Sequence, residues 1–169
     1  MDTVMYESFA REQITEELLD EASRLFSENY GIWGKDSGRA GSRQNPQFCF
    51  TANIFLGKPV KLGGKRLREQ WLPESATTLY TRVIVDGQLA GHAFSCRWVC
   101  NGKNVCWITQ LVVGKDYRRR GLAGTLLTLL RREEDDVFGI ISSHPFACLA
   151  AVRAFGSTFA KINATLFQS

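Results

Sequence analysis

Leu111-Val112-Val113-Gly114-Lys115-Asp116-Tyr117-Arg118-Arg119-Arg120-Gly121-Leu122-Ala123-Gly124 carries the strongest local pattern in this 169-residue chain. An apolar run ends at Val113, a basic loop follows, and apolar residues at helical spacing begin among glycines. Helix starts present unpaired backbone N–H groups and a partial positive charge, so they attract anions. Gly121 and Gly124 allow a ligand close to the backbone, and Ala123 is almost as small. Lys115, Arg118, Arg119 and Arg120 add positive charge at the same point. A solvated basic turn would account for the charge, but not for the strand before it, the helix after it and the two glycines together. The segment is built for a compact polyanion such as a pyrophosphate. Its spacing is neither G-x-G-x-x-G nor that of a phosphate loop ending in G-K-[ST].

Upstream, residues 78–85 are rich in β-formers and end at Asp86-Gly87, residues 90–99 form a second strand, and Asn101-Gly102 leads into a third at 105–113. This is an antiparallel meander. Downstream, Leu122, Leu126, Leu129 and Leu130 mark one face of a helix over 122–132, before four acids at 133–136. Residues 139–142 make a short buried strand, and Ser143 caps a last helix that starts near Pro145 and carries Phe146, Leu149, Val152 and Phe155. Nearer the N-terminus, residues 14–25 read as a helix capped by Thr15, residues 30–46 as a glycine-bearing loop, and residues 65–71 as a short helix stopped before Pro73. The order α, α, β, β, β, α, β, α implies a mixed sheet.

Composition bounds the class. The chain is 44% hydrophobic and 22% charged, with 21 basic and 17 acidic residues, so it can bury a core and holds a mild formal charge of +4. One domain over residues 1–169 is expected. No apolar run approaches the ~20 residues of a membrane helix, and no signal peptide is visible, so a cytoplasmic location without membrane contact is expected. The mild charge brings no basic helix or stacking-aromatic pattern, so nucleic acid is not expected as a partner. Five cysteines with no C-x-x-C pair read as reduced, buried thiols, and no metal is expected.

The residues Arg118-x-x-Gly121-x-Ala123 resemble the Gln/Arg-x-x-Gly-x-Gly/Ala signature of the GNAT N-acetyltransferase superfamily. The likeness runs from Leu111 to Leu127 and extends to the order of elements over most of the chain. It implies an α/β fold of the α+β type, a mixed and mostly antiparallel sheet flanked by helices. Residues 30–75 would be the acceptor-site insert, 78–113 the meander and 114–160 the acetyl-coenzyme A part. Acetyl-CoA is then the co-substrate. Backbone amides of Arg119, Arg120, Gly121, Leu122, Ala123 and Gly124 would hold its pyrophosphate, with Arg118 and Arg120 as side-chain partners. Val112 and Val113 would pair with the pantetheine arm, Ser143 would lie near it, and the N–H of Leu111 or Val112 would serve the oxyanion.

The resemblance implies transfer of the acetyl group to the primary amine of a small molecule by direct attack. Trp107 stands where some members have a glutamate, and Phe155 where many have a tyrosine acid. Gln110 and Thr109 can hydrogen-bond but are no strong bases, so a water chain or His92 on the preceding strand would take the amine proton, with Ser142, Ser143 or His144 as candidate acids. The acceptor would meet Tyr30 and Trp33, and the basic residues of 58–68 read as a solvated face. Two strands usual after the last helix are missing or shortened here. The chain stops short, a neighbouring subunit supplies them, or the long insert compensates. An open edge favours a homodimer. The competing reading is a catalytically silent acyl-CoA-binding or regulatory module.

Overall fold

The computed structural model describes residues 2–29, 62–73, 76–142 and 144–156, with only the backbone of Gln70 and Trp71. Nine regular elements follow in order: β1 (Val4–Ala10), α1 (Glu16–Asn29), α2 (Gly64–Trp71), β2 (Thr77–Val85), β3 (Gln88–Cys100), β4 (Lys103–Val113), α3 (Leu122–Leu130), β5 (Val137–Ile140) and α4 (Pro145–Phe155). The five strands form one sheet in sequence order, β1 to β4 antiparallel and β5 parallel to β4. This is the expected mixed, mostly antiparallel sheet. Residues 157–169, on which the expectation about the C-terminal strands bears, lie outside the described residues.

The meander forms because both two-residue turns have the required handedness. Asp86 and Gly87 take φ 48° and 78°, and Asn101 and Gly102 take 51° and 73°. Positive φ at both central positions matches the twist of paired strands, and Asp, Asn and Gly tolerate it. α1 starts where Thr15 caps it, its Oγ1 accepting the Leu18 N–H at 3.4 Å.

Four expectations need correction. A leading strand, β1, precedes α1 and pairs with β2, so the element order begins with β. None of its residues is buried, four being exposed and three half-buried on the sheet edge, which weakens the alternation that would mark a strand. Helix α3 ends at Leu130, not 132, because Arg131 is extended (φ −70°, ψ 140°), and β5 begins two residues early at Val137. The last helix is capped by His144, whose Nδ1 accepts the Phe146 N–H at 3.3 Å, and Ser143 lies outside the described residues.

The sheet is covered on both faces. Ala93 and Phe94 are neighbours on β3, yet belong to different cores, because alternate strand residues face opposite ways. On one face Tyr80, Phe94 and Val112 pack with Leu19, Phe26 and Leu67 of α1 and α2. On the other, Val83, Ala93, Cys106 and Ile108 pack with Leu126, Leu127, Phe138 and Phe155. The rings of Phe138 and Phe155 stack face to face, 4.2 Å apart and 10° from parallel.

Two charge clusters are structural. Arg97 Nε and Nη2 reach the two carboxylate oxygens of Asp135 at 2.8 and 2.9 Å, and Nη2 also donates to Leu130 O. The pair closes the end of α3. Arg68, from the basic stretch expected to be solvated, pairs with Glu16 at 2.7 Å and donates to Ile14 O at 3.0 Å. Lys58 and Lys61 lie outside the described residues.

Candidate functional site

The sheet opens between β4 and β5. The two strands pair only over Val105 to Ile108 and Val137 to Ile140, and the last link is Ile141 N–H to Ile108 O at 2.9 Å. Beyond it, β4 continues as Thr109 to Val113, paired among the described residues with β3 alone. The departure coincides with a bulge. Phe94 is opposite Gln110 and Ser95 is opposite Ile108, leaving Thr109 as the extra residue, its Oγ1 donating to Phe94 O at 3.3 Å. At the closed end, Trp107 lies across its partner Gly139, where a β-carbon would overlap the indole ring. Any residue larger than glycine would push the ring away from β5.

Strand alternation decides which backbone groups face the opening. Gly114 N–H donates to Ala90 O on β3, so Val112 also turns to β3, where it is opposite His92. Leu111 and Val113 therefore turn to the side that β5 has left. Of the two candidate oxyanion donors, the N–H of Leu111 faces the opening and that of Val112 does not.

The loop after β4 is a single turn of 3₁₀ helix over Lys115–Tyr117, followed by two left-handed residues, Arg119 (φ 64°) and Gly121 (φ 79°). Such alternation bends successive N–H groups into a concave, anion-binding nest. Gly121 is the N-cap of α3 and offers no side-chain cap to the first N–H groups of the helix. Among the described residues nothing beyond their own chain neighbours and helix backbone lies within 4 Å of a β-carbon at Gly121 or Gly124, so both backbones are open to an approaching ligand. The donor set fits a pyrophosphate.

The arginines divide their work. Arg118 donates from Nε to Val113 O at 3.2 Å and from Nη2 to Asn29 O at 2.9 Å. Arg120 pairs with Asp2 and lies 5.7 Å from the Tyr117 ring centroid. Asn29 also accepts the Lys115 N–H through Oδ1 at 2.9 Å. Sequence reading had no means of finding Asn29, because no local pattern marks a contact across 86 residues.

His92 and Gln110 meet, Nε2 to Oε1 at 2.7 Å, beneath α1 and α2 with Tyr80 and Phe94 around the histidine ring. His92 is completely buried, and that desolvation pushes its pKa down to about 4, against a smaller upward pull from Gln110. It is a neutral imidazole at physiological pH. Tyr80 Oη, His92 Nδ1 and Gln110 Nε2 are buried polar atoms without a hydrogen-bond partner among the described residues. His144, by contrast, is exposed at the start of α4, three residues after the β5 link. Tyr30, Trp33 and Ser143 lie outside the described residues. Among the described residues no group of three His, Cys, Asp or Glu could hold a metal ion, and no helix is long and apolar enough to cross a membrane.

Comparison with known proteins gives one family match, the acetyltransferase (GNAT) family, over residues 43–147. No curated protein matches the chain. Solved structures of like fold include an aminoglycoside acetyltransferase from an uncultured soil metagenomic sample in complex with sisomicin (13% identity, 89% of this chain and 86% of that one, TM-score 0.55). Another is AAC(6')-Iy in complex with the bisubstrate analog CoA-S-monomethyl-acetylneamine (14%, 90% and 90%, 0.53). A third is the ribosomal-protein-alanine N-acetyltransferase from Brucella melitensis biovar Abortus 2308 (14%, 85% and 84%, 0.52).

Proposed function

The chain belongs to the acetyltransferase (GNAT) family, and on that premise we propose that it transfers the acetyl group of acetyl-CoA to the primary amine of a small molecule by direct attack. Acetyl-CoA, when bound, supplies a thioester whose carbonyl carbon is the electrophile and whose thiolate leaves. The backbone amides of 119–124 hold the pyrophosphate at the start of α3. The free edge of β4 at Leu111 and Val113 takes the pantetheine arm. The Leu111 N–H stabilises the oxyanion that develops on the carbonyl; a donor so placed is commonly worth about 10²–10³ in kcat.

His92 holds Gln110 in one orientation and leaves Gln110 Nε2 as a donor beside the bulge. A neutral, buried imidazole is a poor sink for an ammonium proton, so the amine enters by losing its proton to water. As the C–N bond forms and the C–S bond breaks, the nitrogen gives up its remaining excess proton to water and the thiolate takes one up, for which the exposed His144, three residues past the last β4–β5 link, is the proposed donor. Tyr30, Trp33 and Ser143 are proposed contacts for acceptor and pantetheine.

The observation that carries this reading is the coincidence of the strand opening with the bare helix start of α3. The acceptor class is supported by relatives of like fold described with sisomicin and an acetylneamine conjugate, both amine-bearing small molecules. A peptide amine is the competing acceptor, since another relative is a ribosomal-protein-alanine N-acetyltransferase. The silent-module reading draws on Trp107 and Phe155, which put no carboxylate and no phenol at the reacting centre. Calorimetry with acetyl-CoA, followed by a thiol-release assay over small amines and N-terminal peptides, separates the three. Release with small amines supports the proposal, and release with peptides alone replaces the acceptor class. Tight binding without release on any amine selects the silent module.

A further inference from the structure

Asn29, the last residue of α1, grips the loop after β4 at two points. Its Oδ1 accepts the Lys115 N–H at 2.9 Å, and its backbone O accepts Arg118 Nη2 at 2.9 Å. Its Nδ2 donates to Leu25 O at 2.9 Å, which fixes the amide so that oxygen, and not nitrogen, faces the loop. Arg118 completes the strut by donating from Nε to Val113 O, the end of β4, at 3.2 Å. The remaining backbone bonds within this turn are local, Tyr117 N–H to Gly114 O at 2.9 Å and Arg118 N–H to Lys115 O at 3.4 Å. A local turn alone leaves the loop free to pivot about the strand end.

We propose that Asn29 is a positioning residue for the co-substrate: it sets the entry of the loop so that the amides of 119–124 converge on the pyrophosphate, without touching the ligand. Arg118 is part of the same strut, tying the end of α1 to the end of β4. The inference rests on the pyrophosphate site proposed above.

A positioning role has a signature that general destabilisation lacks, because it concerns only the pyrophosphate-bearing end of the ligand. The test compares acetyl-CoA with acetyl-pantetheine, which carries the same thioester but no pyrophosphate, on the full chain and its Asn29→Ala variant. Asn29→Ala is expected to lose about fivefold to tenfold in kcat/KM with acetyl-CoA, the scale of one hydrogen bond, mainly through KM. Its kcat/KM with acetyl-pantetheine stays within twofold of the parent, which also shows the variant is folded. Equal losses on both donors, or no loss on either, overturn the proposal. A parent protein that does not prefer acetyl-CoA over acetyl-pantetheine overturns the pyrophosphate site itself. A preference retained in full by Asn29→Ala removes only the strut.

Discussion

Gly124 stands at the third position of α3, where among the described residues nothing beyond its chain neighbours and helix backbone lies within 4 Å of an added β-carbon. Gly124→Asp should therefore fold, since an acid in the first turn of a helix adds about 0.3–1 kcal/mol. It should still lose acetyl-CoA by at least ~tenfold, because unit charges 4 Å apart near a protein surface interact by roughly 4 kcal/mol. Calorimetry on a variant of unchanged circular dichroism checks this, and retained affinity would contradict the placement. His92 gives a prediction in pH. Its folded pKa, about 4, lies below its ordinary value of 6.5, so the unfolded chain binds the extra proton between those limits. Stability from this residue is complete above pH 6.5 and is lost as pH falls toward 4, by roughly 3 kcal/mol in all. Urea titrations should show a flatter acid limb for His92→Gln across that window. His92 and Gln110 were legible as polar side chains on strands, but their pairing was not. It depends on the β3–β4 register, which the Thr109 bulge shifts in a way no local pattern reveals.

Among the elements, the meander and the helices were legible because their signals are local: turn residues that accept positive φ, and leucines at helical spacing. β1 was not, since an edge strand with both faces partly wet need not alternate. The role of the acid run at 133–136 was not legible, because burial of Asp135 depends on Arg97, 38 residues away. Breaking such a buried pair by removing one partner costs about 3–5 kcal/mol. Asp135→Ala should lose that much in urea denaturation, and a change below ~1 kcal/mol would mean the pair is open to water. Phe155, stacked on Phe138, belongs to the core of the α3–α4 face, and its ring donates no proton. Phe155→Ala should cost about 3–5 kcal/mol in the same measurement.

At the scale of the molecule, two helical layers clamp the sheet, and the opening between β4 and β5 is where a strand is left without its neighbour. The glycine-bearing basic segment pointed to this place from the sequence alone, because a helix start and its anion preference are local properties. The acceptor contacts proposed at Tyr30 and Trp33 lie outside the described residues. A homodimer remains the proposal for the assembly, and light scattering at the 19.0 kDa of one chain would contradict it. A ligand held by the folded chain alone should stabilise it by about 2.7 kcal/mol at a hundredfold excess over Kd. The most direct measurement is a titration of coenzyme A into ¹⁵N-labelled protein, followed by amide shifts. The account predicts the largest shifts at Arg119 to Gly124 and at Leu111. Binding that leaves those amides unmoved, or no binding at all, would contradict it.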